Sequence, residues 1–267
     1  MTKRKRNVKS LKRKTTKRKR KIIKTKTKNH RILKHRVRQT RKKNNMYATS
    51  VHQWNPFKGC KFACTYCSAS FQRQAKRQKH RCRKCYEYVP HEHPERLNER
   101  LPKTNDEEFI FVCASGDPAF ASYEYFEKTL GRIRIEKDKT FLIQSKNPAV
   151  FLEHSFPENV ILGTTIETNR DDIAAKYSKA PVPSMRKEAM CKLNHPRKMI
   201  TIESILKFDL EQLVSWVLEI NPEMVWVGYN SKKRCEDNPT INDFKALITR
   251  LRLHDIKVKV KTAVPKV

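Results

Sequence analysis

Short apolar runs, each closed by a polar break, set the outer limits on how this chain can fold. They are EFIFVCA (Glu108 to Ala114), TFLIQS (Thr140 to Ser145), NVILGTT (Asn159 to Thr165), MITIES (Met199 to Ser204), MVWVGY (Met224 to Tyr229) and IKVKVKT (Ile256 to Thr262), with YATSVHQW (Tyr47 to Trp54) as an earlier candidate. Each has the length of a strand and is rich in β-branched and aromatic residues. Several are almost continuously apolar, which suits parallel strands covered on both faces. Helical stretches separate them. One starts at Ser122, one at Asp209, with Leu210, Leu213, Val214, Val217 and Leu218 on one face, and one at Thr240. Each opens on a residue suited to an N-cap. Strand alternating with helix six or seven times predicts a parallel α/β architecture. The body is short for a complete eight-unit barrel of about 250 residues, so the expectation is a partial (β/α)6-type parallel barrel. No internal repeat is visible.

Charge divides the chain. Of its 60 Lys and Arg, 23 fall in residues 1–45, which hold no Asp or Glu. The remaining 37 face 27 acidic residues, so the body of 222 residues, 46–267, carries a net charge of +10. The arm is too charged to bury a core and is expected to be disordered when alone. Such a polycation binds polyanions by counterion release, and nucleic acid is the usual partner. A solubilising or nuclear-targeting tail is the alternative. The arm has no aromatic residue before Tyr47 to stack on bases, so its binding would be non-specific. Ser is too scarce, and the Lys runs too dense, for a mitochondrial transit peptide.

No stretch approaches the 18 apolar residues of a membrane span, and no secretory signal is visible. No membrane association is therefore expected. The eight cysteines point to a reducing, intracellular compartment, cytoplasmic or, in a eukaryote, nuclear. Clustered thiols there favour metal or redox chemistry over structural disulfides.

The strand ends are polar. In sequence order they meet Ser115-Gly116-Asp117, Ser145-Lys146-Asn147, Glu167, Glu203, Asn230 and Thr262. In parallel barrels the carboxyl ends of the strands face the active site, so this ring reads as a ligand pocket.

GCKFACTYCS follows the first strand and places Cys60, Cys64 and Cys67 within eight positions. A structural zinc site wants four ligands. Three thiolates instead suit a cubane iron–sulfur cluster with one iron open to a ligand. A zinc-bound loop, or a cluster used only for structure or electron transfer, is the alternative.

Cys-x3-Cys-x2-Cys, with the aromatic Tyr66 just before the last cysteine, resembles the signature of the radical S-adenosylmethionine (radical SAM) enzymes. The resemblance implies that Cys60, Cys64 and Cys67 hold a [4Fe-4S] cluster whose fourth iron binds S-adenosylmethionine. It also implies a full or partial (β/α) barrel and a need for an electron donor. Ser115-Gly116-Asp117 stands where the family has a Gly-Gly-Glu-like segment that contacts the cofactor's amino group, a departure from the pattern. Glu167, with Thr165 beside it, is the candidate for the ribose. Lys146 either meets the cofactor carboxylate or lies on the surface. The stretches WNPFKGC, HPERL and SGDPAF look like a set of radical SAM proteins of archaeal and phage genomes whose substrate is unassigned. The resemblance covers most of residues 50–265 and leaves out the arm.

A second cluster lies in an insertion at about 78–100. Cys82-x2-Cys85 is followed by His91 and His93, which satisfies tetrahedral zinc by type and number. His80 is a further candidate, and a second iron–sulfur cluster or ordinary thiols are the alternatives. The insertion is close enough in sequence to the three-cysteine loop to cover the pocket. Cys113 reads as a buried thiol within a strand, and Cys191 and Cys235 as incidental in polar surroundings. Two readings result. One is a radical SAM enzyme acting on an unknown substrate, with nucleic acid as the extension suggested by the arm. The other is a non-catalytic, metal-bearing nucleic-acid-binding protein. No catalytic residue is identified.

Overall fold

The computed structural model describes residues 47–67, 76–229 and 235–262, the side chains of 261 and 262 excepted. The chain divides into Met1–Ala48 and Thr49–Val267, and the architecture here is that of the second unit. The polybasic arm and Asn230 lie outside the described residues.

One sheet dominates. Its strands are β1 (Ser50–Trp54), β4 (Phe109–Val112), β5 (Phe141–Gln144), β6 (Val160–Thr165), β7 (Lys198–Ile202), β8 (Met224–Gly228) and β9 (Val258–Thr262). They pair in that order, and every pairing is parallel. Each lies within, or one residue beyond, an apolar run of the sequence, so the sheet has the seven strands that the six runs and the earlier candidate at Tyr47 to Trp54 together mark. β1 and β9 do not pair, which leaves a half-barrel. Parallel strands paired in chain order take crossovers of one hand, which places connecting helices on one face. They also bring all the carboxyl ends to one rim.

Three crossovers use the expected helices: α2 (Tyr123–Ile135), α5 (Leu210–Ile220) and α6 (Ile241–Leu253). Ser122 caps α2 by accepting from the Tyr125 amide. Thr240 and Asp243 form a reciprocal capping box on α6. Asp209 stands at the N-cap of α5, but its carboxylate pairs with Arg170 and makes no capping bond. The β6–β7 crossover holds two helices that apolar patterning left unmarked, α3 (Asp171–Tyr177) and α4 (Pro183–Lys192). Between β5 and β6 there is only a 3-10 turn, Pro148–Glu153. The β1–β4 crossover is the cysteine-bearing region. It contains β2 (Phe57–Lys58), α1 (Arg83–Glu87) and β3 (His91–Glu92), with β2 and β3 paired antiparallel.

The inner strands bury both faces, as their apolar runs require, whereas the edge strands β1 and β9 keep exposed positions at Val51 and Val260. β4, β6 and β8 are buried at every position. Trp54, Phe141, Phe151 and Phe244 are among the largest fully enclosed side chains, each stabilising the fold by roughly 1.5–3 kcal/mol. This core fixes the rim on which the polar residues stand. Among the described residues, no helix is long and apolar enough to cross a membrane.

Candidate metal and cofactor site at the strand ends

The three-cysteine loop leaves β2 at Gly59 and is held on three sides. The Gly59 amide donates to the Ser115 carbonyl at 3.1 Å, and the Gly59 carbonyl accepts from the Asp117 amide at 3.1 Å. This bridge aligns Gly59 with Gly116 just past β4. A Cβ on Gly116 would lie 2.8 Å from the Gly59 oxygen, so Gly116 serves the close approach of two backbones. On the other side, a Cβ on Gly59 (φ +90°) would lie 2.3 Å from the Val89 oxygen. Only glycine combines that φ with that contact. Farther along, the Thr65 amide donates to Tyr177 O at 2.9 Å and the Lys179 amide to Phe62 O at 2.8 Å. The loop therefore sits among the end of β4, the Cys/His insertion and the segment after α3.

Within it, Cys60, Cys64 and Cys67 gather with Phe62, Ala180 and Phe120. Cys64 Sγ lies 3.1 Å from Ser178 Oγ. Burial pushes the Cys60 thiol well above its ordinary range, and the nearby Asp117 carboxylate adds to the shift. The insertion contributes Tyr88 to the same place. Burial raises its phenol, and the adjacent Cys67 and Cys60 thiols raise it further. Tyr88 was not singled out in the sequence, because it belongs to the other cysteine segment.

Tyr66 carries the loop into the polar rim. Its hydroxyl donates to Glu167 Oε1 at 2.8 Å, and Lys146 Nζ contacts both that hydroxyl and Glu167 Oε1, the latter at 2.8 Å. The ammonium also lies 4.8 Å from the Tyr66 ring centroid. Arg186 closes the cluster from α4, donating to Glu167 Oε2 at 2.7 Å and to the Thr165 carbonyl at 2.7 Å. Glu167 is fully buried. Burial alone would raise its carboxyl, but Lys146 and Arg186 outweigh it and hold the group well below the usual carboxylate range. Burial and the Glu167 charge push the Tyr66 phenol far up, so it remains a donor.

Tyr66, Lys146, Thr165 and Glu167 are thus brought together. The Lys146 side chain is only 13% exposed, turned inward to Glu167 and not out over the surface. Both Glu167 oxygens are engaged by donors of the chain itself. Thr165 Oγ1 accepts from Gln144 at 2.9 Å. Asp117 is equally committed: it accepts from Ala119 N at 3.0 Å, Ser145 Oγ at 2.6 Å and Lys146 N at 2.9 Å. Burial is the largest influence on its carboxyl and raises it. The Ser115 amide donates to Asn55 Oδ1 at 2.7 Å. Arg186 escaped sequence reading because an arginine marks no apolar face. It shares a buried face with Ala189 and Met190 on the same helix, but that spacing says nothing of the carboxylate it meets.

Cys82, Cys85, His91 and His93 also converge. Their ligand atoms all lie within 4.8 Å of one another. His80 is exposed and outside this group. Cys113 is buried, as expected, but lies just past β4 with a positive φ of 54°. Burial pushes its thiol up to about 12. Cys191 is exposed. Cys235, however, is buried against Ile173 and Leu206, with Tyr66 packed on the same group, a less polar setting than its sequence neighbours suggested.

No protein-family model and no curated protein matches the sequence. Among solved structures, the chain is similar to a radical SAM methyltransferase from Sphaerobacter thermophilus, at 13% identity over 80% of this chain and 66% of that one, with a TM-score of 0.49. It is also similar to SuiB of Streptococcus suis bound to S-adenosylmethionine, at 11% identity over 88% of this chain and 55% of that one, with a TM-score of 0.48. The chain spans between about half and two thirds of the length of these proteins.

Proposed function

We propose that this protein is a radical SAM enzyme in which Cys60, Cys64 and Cys67 hold a [4Fe-4S] cluster and the strand-end rim holds S-adenosylmethionine. The observation that carries the reading is the joining of three thiols to a polar rim through one side chain, Tyr66, at the carboxyl ends of a parallel half-barrel. The donor set fits: three soft thiol ligands on one loop, in a partly apolar surround. When bound, the cluster and S-adenosylmethionine supply one-electron reductive cleavage to an adenosyl radical, using an electron from an external donor.

The chain's own residues hold this place. Glu167 stores negative charge that fixes the Lys146 ammonium and the Arg186 guanidinium. Asp117 fixes the Lys146 backbone from the neighbouring strand end. Lys146 is the one cation of the group on a strand-end loop, and it is the candidate for an anionic group of the cofactor. Tyr66 ties the position of the cysteine loop to that cation. Phe62 and Phe120, 4.7 Å apart between ring centroids, shield the loop.

The polybasic residues 1–45 support a nucleic-acid substrate or location, by charge alone. The competing reading, a metal-braced nucleic-acid binder without catalysis, has no use for a four-residue polar cluster, centred on the buried Glu167 and Arg186, beside the thiols.

The test is anaerobic reconstitution with iron and sulfide, reduction with dithionite, and electron paramagnetic resonance with and without S-adenosylmethionine. A reduced-cluster signal that changes on adding the cofactor, with 5′-deoxyadenosine formed and both lost in Cys64→Ala, is the expected result. A protein that takes up no iron–sulfur cluster sinks the reading and promotes the binder.

A further inference from the structure

The Cys/His insertion carries a site of its own. Cys82 Sγ lies 3.4 Å from His91 Nε2, and Cys85 Sγ lies 3.3 Å from His91 Nε2 and 3.2 Å from His93 Nε2. A tetrahedral zinc ion with Zn–S of about 2.3 Å and Zn–N of about 2.0–2.1 Å needs sulfur-to-nitrogen separations of about 3.5 Å. The observed spacings are close to that. Thiol–imidazole hydrogen bonding alone does not account for the arrangement. His91 Nε2 approaches two sulfurs, and Cys85 Sγ approaches two imidazoles. One thiol has one proton to share.

The far side of each ring fixes its tautomer. His91 Nδ1 sits 2.7 Å from the Val89 carbonyl, which can only accept. His93 Nδ1 sits 2.8 Å from the Glu95 carboxylate. Each Nδ1 therefore carries the hydrogen, and each Nε2 lone pair points at the sulfurs. A second partner of this kind is what metal-bound histidines have. Cys82 and Cys85 form a turn in which the Cys85 amide donates to Cys82 Sγ at 3.3 Å. That bond gives a thiolate at Cys82 a local donor.

We propose that Cys82, Cys85, His91 and His93 bind one zinc ion, and that this ion is a strut that fixes the start of the three-cysteine loop. Two thiolates and two neutral imidazoles satisfy a divalent ion with no net charge left over, and binding releases two thiol protons to solvent. Four protein ligands close the coordination sphere, so the site is structural. The mutual contact of sulfurs and imidazoles leaves no room for two irons between them, which sets zinc ahead of an iron–sulfur pair.

The strut follows from the connections of the site. β2 pairs with β3, placing Lys58 opposite His91. The His93 amide donates to the Pro56 carbonyl at 2.6 Å. The Val89 carbonyl, held by His91, is the group against which Gly59 packs. Every one of these contacts lies within four residues of Cys60. The zinc claim is independent of what the three-cysteine loop holds. Only the consequence for that loop rests on the function proposed above.

The test uses the full chain, expressed with zinc and purified free of iron. Elemental analysis should find about one zinc per chain. It should be retained in the variant carrying Cys60→Ala, Cys64→Ala and Cys67→Ala together, and in His80→Ala, and lost in Cys85→Ser. Cobalt(II) exchanged into the site should show tetrahedral ligand-field bands with thiolate charge transfer. His91→Cys, which keeps four ligands, should shift those bands toward a three-sulfur site. In Cys85→Ser the Gly59 amide should exchange with solvent at least about tenfold faster, while the Leu142 amide in β5 is unchanged.

Zinc that vanishes with the three-cysteine variant, iron in place of zinc, or a cobalt spectrum indifferent to His91→Cys overturns the site. Zinc lost without a change at Gly59 overturns the strut. None of these readouts depends on S-adenosylmethionine, so the radical SAM reading can fail while this one holds, and the reverse.

Discussion

The two cysteine-bearing segments use similar residues for opposite ends. In the insertion, two thiols and two imidazoles close on one another within 4.8 Å, and both histidines are held from behind. In the loop, three thiols spread over eight positions, tied outward by Gly59 to Ser115, Thr65 to Tyr177 and Phe62 to Lys179, and inward by Phe62 N to Cys60 Sγ and Cys67 N to Cys64 O. The first set brings four donor atoms to one point by itself. The second is completed by its surroundings, because Tyr66 leads from it to Glu167, Lys146 and Arg186. A ligand set that closes on itself braces structure, and one that needs neighbours is positioned to meet something else.

The largest effect should come from the neighbours. Glu167→Ala leaves Arg186 and Lys146 inside the protein without their shared counter-charge. Breaking a buried ionic group by removing one partner costs about 3–5 kcal/mol. Urea denaturation of the iron-free protein should show that loss. A cost below about 1 kcal/mol would mean that the cluster is hydrated in solution and that the rim is not the preorganised setting argued here.

Gly59 is the residue the two segments share, and Gly59→Ala should strike both. Its φ of +90° is costly for an L side chain, by about 1–3 kcal/mol. Its Cβ would press on the backbone of Val89 and Pro90, adding about 1–3 kcal/mol of overpacking. The variant should be destabilised by at least about 2 kcal/mol and should lose zinc affinity and cluster occupancy together. Loss of one with the other intact would show that the segments are mechanically independent.

Acid separates them by another route. Glu167 is depressed below its ordinary value of 4.5, so its stabilisation is fully present above that pH. It is lost as pH falls through the depressed folded value. The slope from one such group is at most about 1.4 kcal/mol per pH unit. Comparing denaturation midpoints of wild type and Glu167→Gln from pH 5 downward should show a shallower slope in the variant. Parallel slopes would mean that Glu167 is not held ionised by its two cations.

Most of the fold was legible because burial on both faces leaves a compositional trace. All seven sheet strands fall within, or one residue beyond, apolar runs, and Ser122 and Thr240 mark their helices. The 3-10 crossover after β5 and helices α3 and α4 left no such trace, since α4 buries Arg186 along with Ala189 and Met190. The sites divide in the same way. Cys82, Cys85, His91 and His93 could be grouped by residue type and spacing because they are close in sequence, and the structure brings their donor atoms within 4.8 Å. Tyr66, Lys146 and Glu167 could be named from strand ends and resemblance. Their joining, and the arrival of Arg186 and Tyr88, depends on contacts between segments that no spacing encodes.

The smallest predicted effect is the most direct measure of the contrast. Cys64 is buried, and its sulfur has Ser178 Oγ at 3.1 Å. In Cys64→Ala that hydroxyl still accepts from the Ala180 amide at 3.1 Å, so it keeps one partner. The iron-free variant should lose only about 1 kcal/mol, and its denaturation midpoint should be insensitive to added zinc chelator beyond what wild type shows. Cys85→Ala removes a ligand from a set that has nothing else to complete it, so chelator should no longer shift its midpoint at all. If Cys64→Ala instead proved as damaging as Cys85→Ala in iron-free protein, the three-cysteine loop would be a second structural brace, and the distinction between a closed and an open set would fall.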